Sequence, residues 1–391
     1  MAAAPGVAMR EPVYDDGWAR LYQGDVRMVL REMEPESVNM CVTSPPYWSL
    51  RDYGIDPGVW GGDETHLHDW EAPNVVRGPA QAQGATSQRQ GRANVAEQVA
   101  RDREQGAFCS CGAWKGALGL EPTPELFVAH MVEVFRDVRR VLAKNGTLWL
   151  NCGDSYAGST VGGESAAAST LVGTHNRART PVSVSVRQTV QCKPKDLVGI
   201  PWMLAFALRA DGWWLRQELI WAKPNPMPES VTDRCTKAHE YVFLLTKRER
   251  YYYDADAIRE RSVCPEGSGN NTPYLVPGQR DGDNSNLGGS LHKIGPRESR
   301  NKRSVWTIPT EPTPEAHFAT FPQALVEPCI LAGSAPGGVV LDPFVGSGTS
   351  CLVAKRLGRK SFGIDLNADY LEIARKRIGA VSQPMEMGKA T

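Results

Sequence analysis

Charge imbalance is the first thing this sequence lacks: 44 Lys and Arg residues offset 44 Asp and Glu. A coat for non-specific nucleic-acid binding would be basic, so any such contact has to come from a local cluster. Long apolar runs are also missing. No stretch approaches the roughly 20 apolar residues of a membrane span. Met1 to Pro12 carries no run long enough for a signal peptide, which predicts a cytosolic protein without membrane attachment. Nor do the nine cysteines, scattered and mostly within apolar runs, make the framework of a secreted disulfide scaffold. Internal repeats are absent as well.

What is present is a chain of 391 residues, long enough to bury a large core, in which helix and strand patterns alternate. That alternation predicts an α/β fold with a mainly parallel sheet. Trp18 to Asp25 reads as a short strand, Val26 to Met33 as a helix and Val38 to Val42 as a buried strand. Thr123-Pro124 opens a helix with apolar positions at helical spacing from Leu126 to Leu142. Asn145-Gly146 is expected to end it, with the next strand over Thr147 to Gly153. A helix over Asp196 to Ala210 follows, then strands over Trp213 to Trp221 and Glu240 to Leu245. The last part predicts helix, strand, helix, strand, helix over Pro322–Ala332, Val339–Leu341, Thr349–Leu357, Ser361–Ile364 and Tyr370–Ile378. Residues 72–107 and 157–192 are poor in large apolar side chains and read as long inserted loops.

The chemistry concentrates in two stretches. Thr43-Ser44-Pro45-Pro46-Tyr47-Trp48 leaves its strand through two prolines, which cannot continue a sheet. The Ser44 hydroxyl, a backbone carbonyl free of the ladder and the Tyr47 ring are thereby set at the carboxyl end of a strand, where open α/β sheets place ligands. A planar ring bearing an amine can stack on Tyr47 while Ser44 and the backbone accept its amino hydrogens. The second stretch, Val339 to Ser350, reads as strand, tight turn and helix. Gly346 and Gly348 allow close backbone approach, and the helix start offers free N–H groups. Asp365 ends the following strand about twenty residues past the glycines, the usual place for an acid that holds ribose hydroxyls. A third glycine is absent, and Asp342 at the strand end would repel a diphosphate but welcome a cationic amine. A nicotinamide dinucleotide is therefore disfavoured.

With the Ser-Pro-Pro-Tyr segment first and the glycine loop last, the chain resembles the β group of amino-directed DNA methyltransferases. These methylate the exocyclic nitrogen of cytosine or adenine on a class I, S-adenosylmethionine-dependent fold, a Rossmann-like sheet that is circularly permuted. The resemblance covers most of residues 13–380 apart from the two loops. It implies a catalytic half at 13–253, a target-recognition region at 254–303 and a cofactor-binding half of the same domain at 304–380. Ser44, Pro45, Pro46 and Tyr47 would be catalytic. Asp342, Phe344, Gly346, Gly348, Thr349, Asp365, Phe321 and Asp25 would hold S-adenosylmethionine, with Asp342 and the two glycines at its methionine moiety and Asp365 at its ribose. Ser304 to Pro309 and His317 to Pro322 look like the segment that caps the cofactor, and Ile220 to Pro226 like the strand flanking a flipped base.

Substrate candidates are Trp48, Trp221 and Lys223 near that base, and Arg280, Arg297 and Arg300 in the polar recognition region; for Trp48 a core role is the favoured reading. Arginines serve both phosphates and guanine edges. The implied partner is double-stranded DNA, with a cognate restriction nuclease besides, and the implied assembly a monomer or homodimer. Ser at position 44, where adenine enzymes of the family usually carry Asp or Asn, favours the N4 of cytosine over the N6 of adenine. A non-catalytic DNA-binding protein and an RNA or protein-amide methyltransferase are the other readings. Cytosine C5 chemistry needs a Pro-Cys nucleophile; Pro328-Cys329 lies in an apolar helical run and reads as core. Finally, His66 and His68 before the first insert and Cys109 and Cys111 after it offer a ligand set for a structural zinc.

Overall fold

A computed structural model of the chain describes residues 9–48, 56–63, 65–71, 106–157, 192–193, 195–262, 299–311 and 321–382. A nine-stranded sheet runs in the spatial order β1 (Tyr14–Asp15), β2 (Ala19–Gln23), β15 (Lys360–Asp365), β14 (Val339–Asp342), β3 (Val38–Thr43), β8 (Leu142–Cys152), β10 (His239–Thr246), β9 (Trp214–Ala222) and β13 (Val305–Thr307). Only β1 and β10 run against the rest. The last two strands in sequence thus fill the middle of the sheet, between β2 and β3, as a permuted order demands.

Helices cover both faces. α1 (Val26–Glu32), α2 (Pro124–Val141) and α3 (Ile200–Ala210) pack on one side; α4 (Gln323–Gly333), α5 (Thr349–Arg356) and α6 (Ala368–Gly379) pack on the other. The central strands feed both layers because successive side chains point to opposite faces. On β8, Leu148 and Leu150 enter the first core while Trp149 enters the second; on β10, Phe243 and Leu245 oppose Val242 and Leu244. The helices begin where the sequence supplies caps. Thr123 accepts the Leu126 N–H at 3.2 Å with Pro124 in the first turn, and Asn367 accepts from Asp369 and Tyr370. Such a cap contributes about 1 kcal/mol. Among the described residues no helix is long and apolar enough to cross a membrane.

Most predicted elements form within a few residues of their expected bounds. Asn145-Gly146 is a correction: α2 stops at Val141, and Leu142 already pairs with Val38. The next pair, Met40 with Thr147, leaves residues 143–146 as an excursion within β8 rather than a helix end. Likewise α3 starts at Ile200, after Gly199 at φ +84°, not at Asp196. A second sheet was not expected. β4 (Gly58–Trp60), β5 (Trp70–Glu71), β6 (Ala107–Cys109) and β7 (Trp114–Gly116) form an antiparallel sheet in the order β4-β7-β6-β5. The expected inserts lie outside the described residues over 72–105 and 158–191, as do 263–298 and 312–320.

Candidate active site

β3 and β14 are neighbouring parallel strands, with Val340 opposite Met40 and Leu341 opposite Cys41. Their carboxyl ends therefore leave the sheet side by side. The Thr43 hydroxyl donates to Asp342 Oδ1 at 2.6 Å, Ser350 donates to Oδ2 at 2.5 Å and the Phe344 N–H adds a bond of 3.1 Å to Oδ1. Asp342 is 1% exposed. Burial pushes its carboxyl up to about 6, although these donors favour the charged form. The acid expected at the methionine moiety thus also fastens the glycine loop to the strand that ends in Ser44.

The two glycines do different work. At Gly348 φ is +81°, and a Cβ would lie 2.7 Å from Ala374 Cβ, so α5 and α6 approach only because no side chain intervenes. At Gly346 φ is +48°, and a Cβ would meet nothing nearer than Phe344 O at 4.0 Å, so that side of the loop is open. No side chain caps the start of α5, which leaves its first N–H groups to a ligand. Asp365 flanks the loop, accepting from Gly346 N and Asn367 N at 2.9 Å each, and burial pushes it up to about 6. Thr349 is 3% exposed and, with Ser347, receives Arg377 Nη1. Phe344 and Phe321 pack partly buried on opposite cores. Asp25 follows Gly24, whose N–H bonds Asp365 O at 3.0 Å, but it caps α1 and engages Arg27 at 2.7 Å. Burial opposes its charge; Arg27 prevails and holds it below the usual carboxylate range.

On the neighbouring side, Ser44 Oγ makes a long contact of 3.4 Å to Tyr47 Oη. Tyr47 Oη lies 2.7 Å from Glu240 Oε2 and 3.1 Å from Asn151 Oδ1. Lys223 pairs with the other oxygen of Glu240 and stands 4.2 Å above the Trp221 ring. Burial, then the charge of Glu240, holds the Tyr47 phenol well above its usual range, so it stays a donor. The ring lies against Gly153, where a Cβ would be 2.4 Å from Tyr47 Cε2. A shallow cleft beside it is lined by Tyr47, Trp48, Gly153, Asp154, Ser155 and Ile200.

Several of these residues escape sequence reasoning. Asn151, Gly153 and Asp154 come from the end of β8, which runs parallel to β3 with Leu150 opposite Thr43. Glu240 is on β10, opposite Trp221 of β9. A carboxylate within an apolar strand was the available signal. Lys237 Nζ is buried in the same region with no hydrogen-bond partner among the described residues. Burial lowers its ammonium against the pull of Asp154 and Glu240.

Of the other expected residues, the tryptophans are buried beside the site and the rest lie elsewhere. Trp48 is 3% exposed and donates from Nε1 to Glu121 O at 2.9 Å, a core role. Trp221 is also buried and bonds Ile308 O at 2.8 Å. Arg300 pairs with Glu260 at 2.8 Å in the short ladder of β11 (Glu260–Arg261) and β12 (Ser299–Arg300). Arg280 and Arg297 lie outside the described residues. Residues 304–309, expected to cap the cofactor, surround the edge strand β13, separated from β14 by β3, β8, β10 and β9. Cys329 is 1% exposed, as its core reading requires. His66, Cys109 and Cys111 converge at the small sheet.

Comparison with known proteins agrees with this geometry. The model of a family described as DNA methylase matches residues 38–376. Type II methyltransferase M.Cfr9I of Citrobacter freundii is 38% identical over 370 residues, 94% of this chain and 90% of that protein. Type II methyltransferase M.SmaI of Serratia marcescens is 36% identical over 361 residues, 92% and 90% of the two chains. A solved structure of the PvuII DNA methyltransferase, described as cytosine-N4-specific, superposes with a TM-score of 0.53 at 14% identity, covering 95% and 91% of the chains, a likeness of fold. With a permuted parallel sheet, a serine-proline-proline-tyrosine strand end and a family match across most of its length, the chain belongs to the N6/N4 DNA methylase family and is a DNA methyltransferase.

Proposed function

We propose that the protein moves a methyl group from S-adenosylmethionine to the exocyclic N4 of a cytosine flipped out of double-stranded DNA. One observation carries this reading: the Thr43–Asp342 bond joins the Ser44–Tyr47 segment and the glycine loop at the carboxyl ends of two neighbouring central strands. The open side of Gly346, the uncapped start of α5 and the two acids fit a ligand with a cationic amine and ribose hydroxyls. When bound there, the cofactor supplies a methyl group already activated on sulfonium.

The chain's own residues do the rest. An exocyclic amine is a weak nucleophile because its lone pair is delocalised into the ring. Ser44 Oγ and the Pro45 carbonyl accept its hydrogens and localise that pair. With its proton given to Tyr47 Oη, 3.4 Å away, Ser44 keeps its lone pairs for the substrate. Tyr47 donates in turn to Glu240, whose charge Lys223 balances. Bonds aligned in a chain polarise one another and strengthen the acceptor at its head. Positioning for in-line displacement then supplies most of the rate. No strong base is required, since the proton can leave after transfer. Extruding the base costs a few kcal/mol, part of it offset by stacking on Tyr47.

Cytosine is favoured by the serine at position 44; N6 of adenine is the second reading. The companion of a Type II methyltransferase would be a restriction nuclease for the same site. The test is transfer of label from S-adenosylmethionine to duplex DNA. Ser44→Ala should lower kcat by about 100-fold and Tyr47→Phe by about tenfold, with cofactor affinity unchanged in both. Loss of cofactor affinity in Ser44→Ala would remove that residue from the base pocket.

A further inference from the structure

The small sheet ends in side chains that catalysis does not use. His66 and His68 are partly buried, while Leu67 between them is 94% exposed. The two rings lie together, with centroids 5.8 Å apart, just after the turn closed by His66 N on Asp63 O, and the leucine is left in water. Opposite them, the β6–β7 hairpin turns tightly: Cys109 N bonds Ala113 O at 2.8 Å, Gly112 N bonds Cys109 O at 2.9 Å, and Gly112 has φ +86°. Cys109 and Cys111 again flank an exposed residue, Ser110. Ligand atoms of His66, Cys109 and Cys111 all lie within 4.8 Å of one another, and Cys111 Sγ is 3.5 Å from His68 Nδ1. For Zn–S near 2.3 Å and Zn–N near 2.0 Å, the edge of a tetrahedron is about 3.6 Å.

We propose that His66, His68, Cys109 and Cys111 bind one structural zinc ion, an inference independent of the methyl-transfer reading. Two thiolates and two imidazoles select zinc over hard cations and close its four positions without water. Binding replaces two thiol protons by one Zn²⁺, so the ligand set stays neutral and two protons are released. Asp69 is the outer partner. Its Oδ1 is 3.4 Å from His66 Nε2 and accepts from Ser110 N at 3.2 Å; the 2.8 Å bond it receives from the Cys109 thiol is given up when that proton leaves for the metal to bind. Because its side chain is 65% exposed, it supports the cluster from the solvent side.

The ion would act at a distance from the chemistry. It joins the segment before β5 to the hairpin after β6, whose strands pair Trp70 with Cys109. That closes the base of the insertion between them. The other end of the small sheet stacks Trp60 and Trp114 on His130 of α2, with centroids 5.1 and 5.5 Å away. His130 bonds Glu121 at 3.0 Å, and Glu121 O receives Trp48, next to Tyr47. Zinc thus stiffens a buttress under the Ser44–Tyr47 segment.

The full chain, purified without chelator, should carry about one zinc per molecule by plasma mass spectrometry. Cys109→Ser and Cys111→Ser should each lower that content about tenfold or more, while Cys235→Ser, at an exposed cysteine outside the cluster, should not change it. A serine variant that misfolds would also lose metal, so the unaltered chain gives a second reading. Stripped and titrated with Co²⁺, it should develop a thiolate-to-cobalt charge-transfer band and the visible bands of a tetrahedral site. His68→Ala should abolish those visible bands, and Asp69→Asn should weaken affinity about tenfold while keeping them. Absence of zinc together with absence of the cobalt spectrum would overturn the proposal. So would zinc retained by a Cys109→Ser, Cys111→Ser double variant.

Discussion

Gly153 illustrates how much of the site depends on a missing side chain. The Tyr47 ring occupies the space a Cβ would take, 2.4 Å from Cε2. Gly153→Ala should therefore displace the ring and lower kcat by about 100-fold, the size of loss an ångström-scale misplacement produces. Cofactor affinity should hold, because the glycine loop is untouched; equal loss of both would mean that the ring does not position the base. The two raised carboxyls give a pH dependence of defined sign. Asp342 and Asp365 are both pushed up to about 6 by burial. Between about 4 and about 6 the folded cofactor-free chain holds protons that the unfolded chain has released. Their contribution to stability is therefore greatest below that window and declines as pH rises through it. A cationic ligand prefers the charged acids, so cofactor affinity should fall as pH drops below about 6, by up to about tenfold per pH unit for each proton. Calorimetry across that range checks it, and a flat profile would remove both acids from the cofactor site.

At the scale of elements, Gly346 and Gly348 should respond in opposite ways. Gly348→Ala forces a side chain into φ +81° and against Ala374, so α5 and α6 must part. The expected cost is about 2–4 kcal/mol of stability, from left-handed backbone and overpacking. Gly346→Ala meets no neighbour and should cost only about 1 kcal/mol, yet its methyl group enters the open side of the loop and should weaken cofactor binding more. Denaturant melts and calorimetry on the two variants separate these outcomes; the reverse ranking would exchange the roles. The same scale explains which elements were legible in the sequence. α2 announces itself through Thr123-Pro124 and a long apolar stripe, and β3 through two prolines that stop it. The small sheet does not, because strands of two or three residues carry no period to read. Asn145-Gly146 misled because a turn signal is the same whether it ends a helix or bulges a strand.

In the whole molecule, strands from both ends of the chain interleave in one sheet, β2-β15-β14-β3. The glycine loop and the Ser44–Tyr47 segment were visible separately as motifs; that they meet at Thr43 and Asp342 follows from this interleaving. Glu240 shows the limit of the linear reading. Nothing local marks it as the partner of Tyr47, because the contact depends on the register of β10 between β8 and β9. The base that receives the methyl group is the most direct test of the role of Ser44. Duplex DNA incubated with the protein and isotopically labelled S-adenosylmethionine, digested to nucleosides and analysed by mass spectrometry, should yield labelled N4-methylcytosine. Labelled N6-methyladenine would leave the fold and the acceptor chain in place but contradict the assignment of Ser44 to cytosine, and unlabelled DNA would contradict the reaction itself.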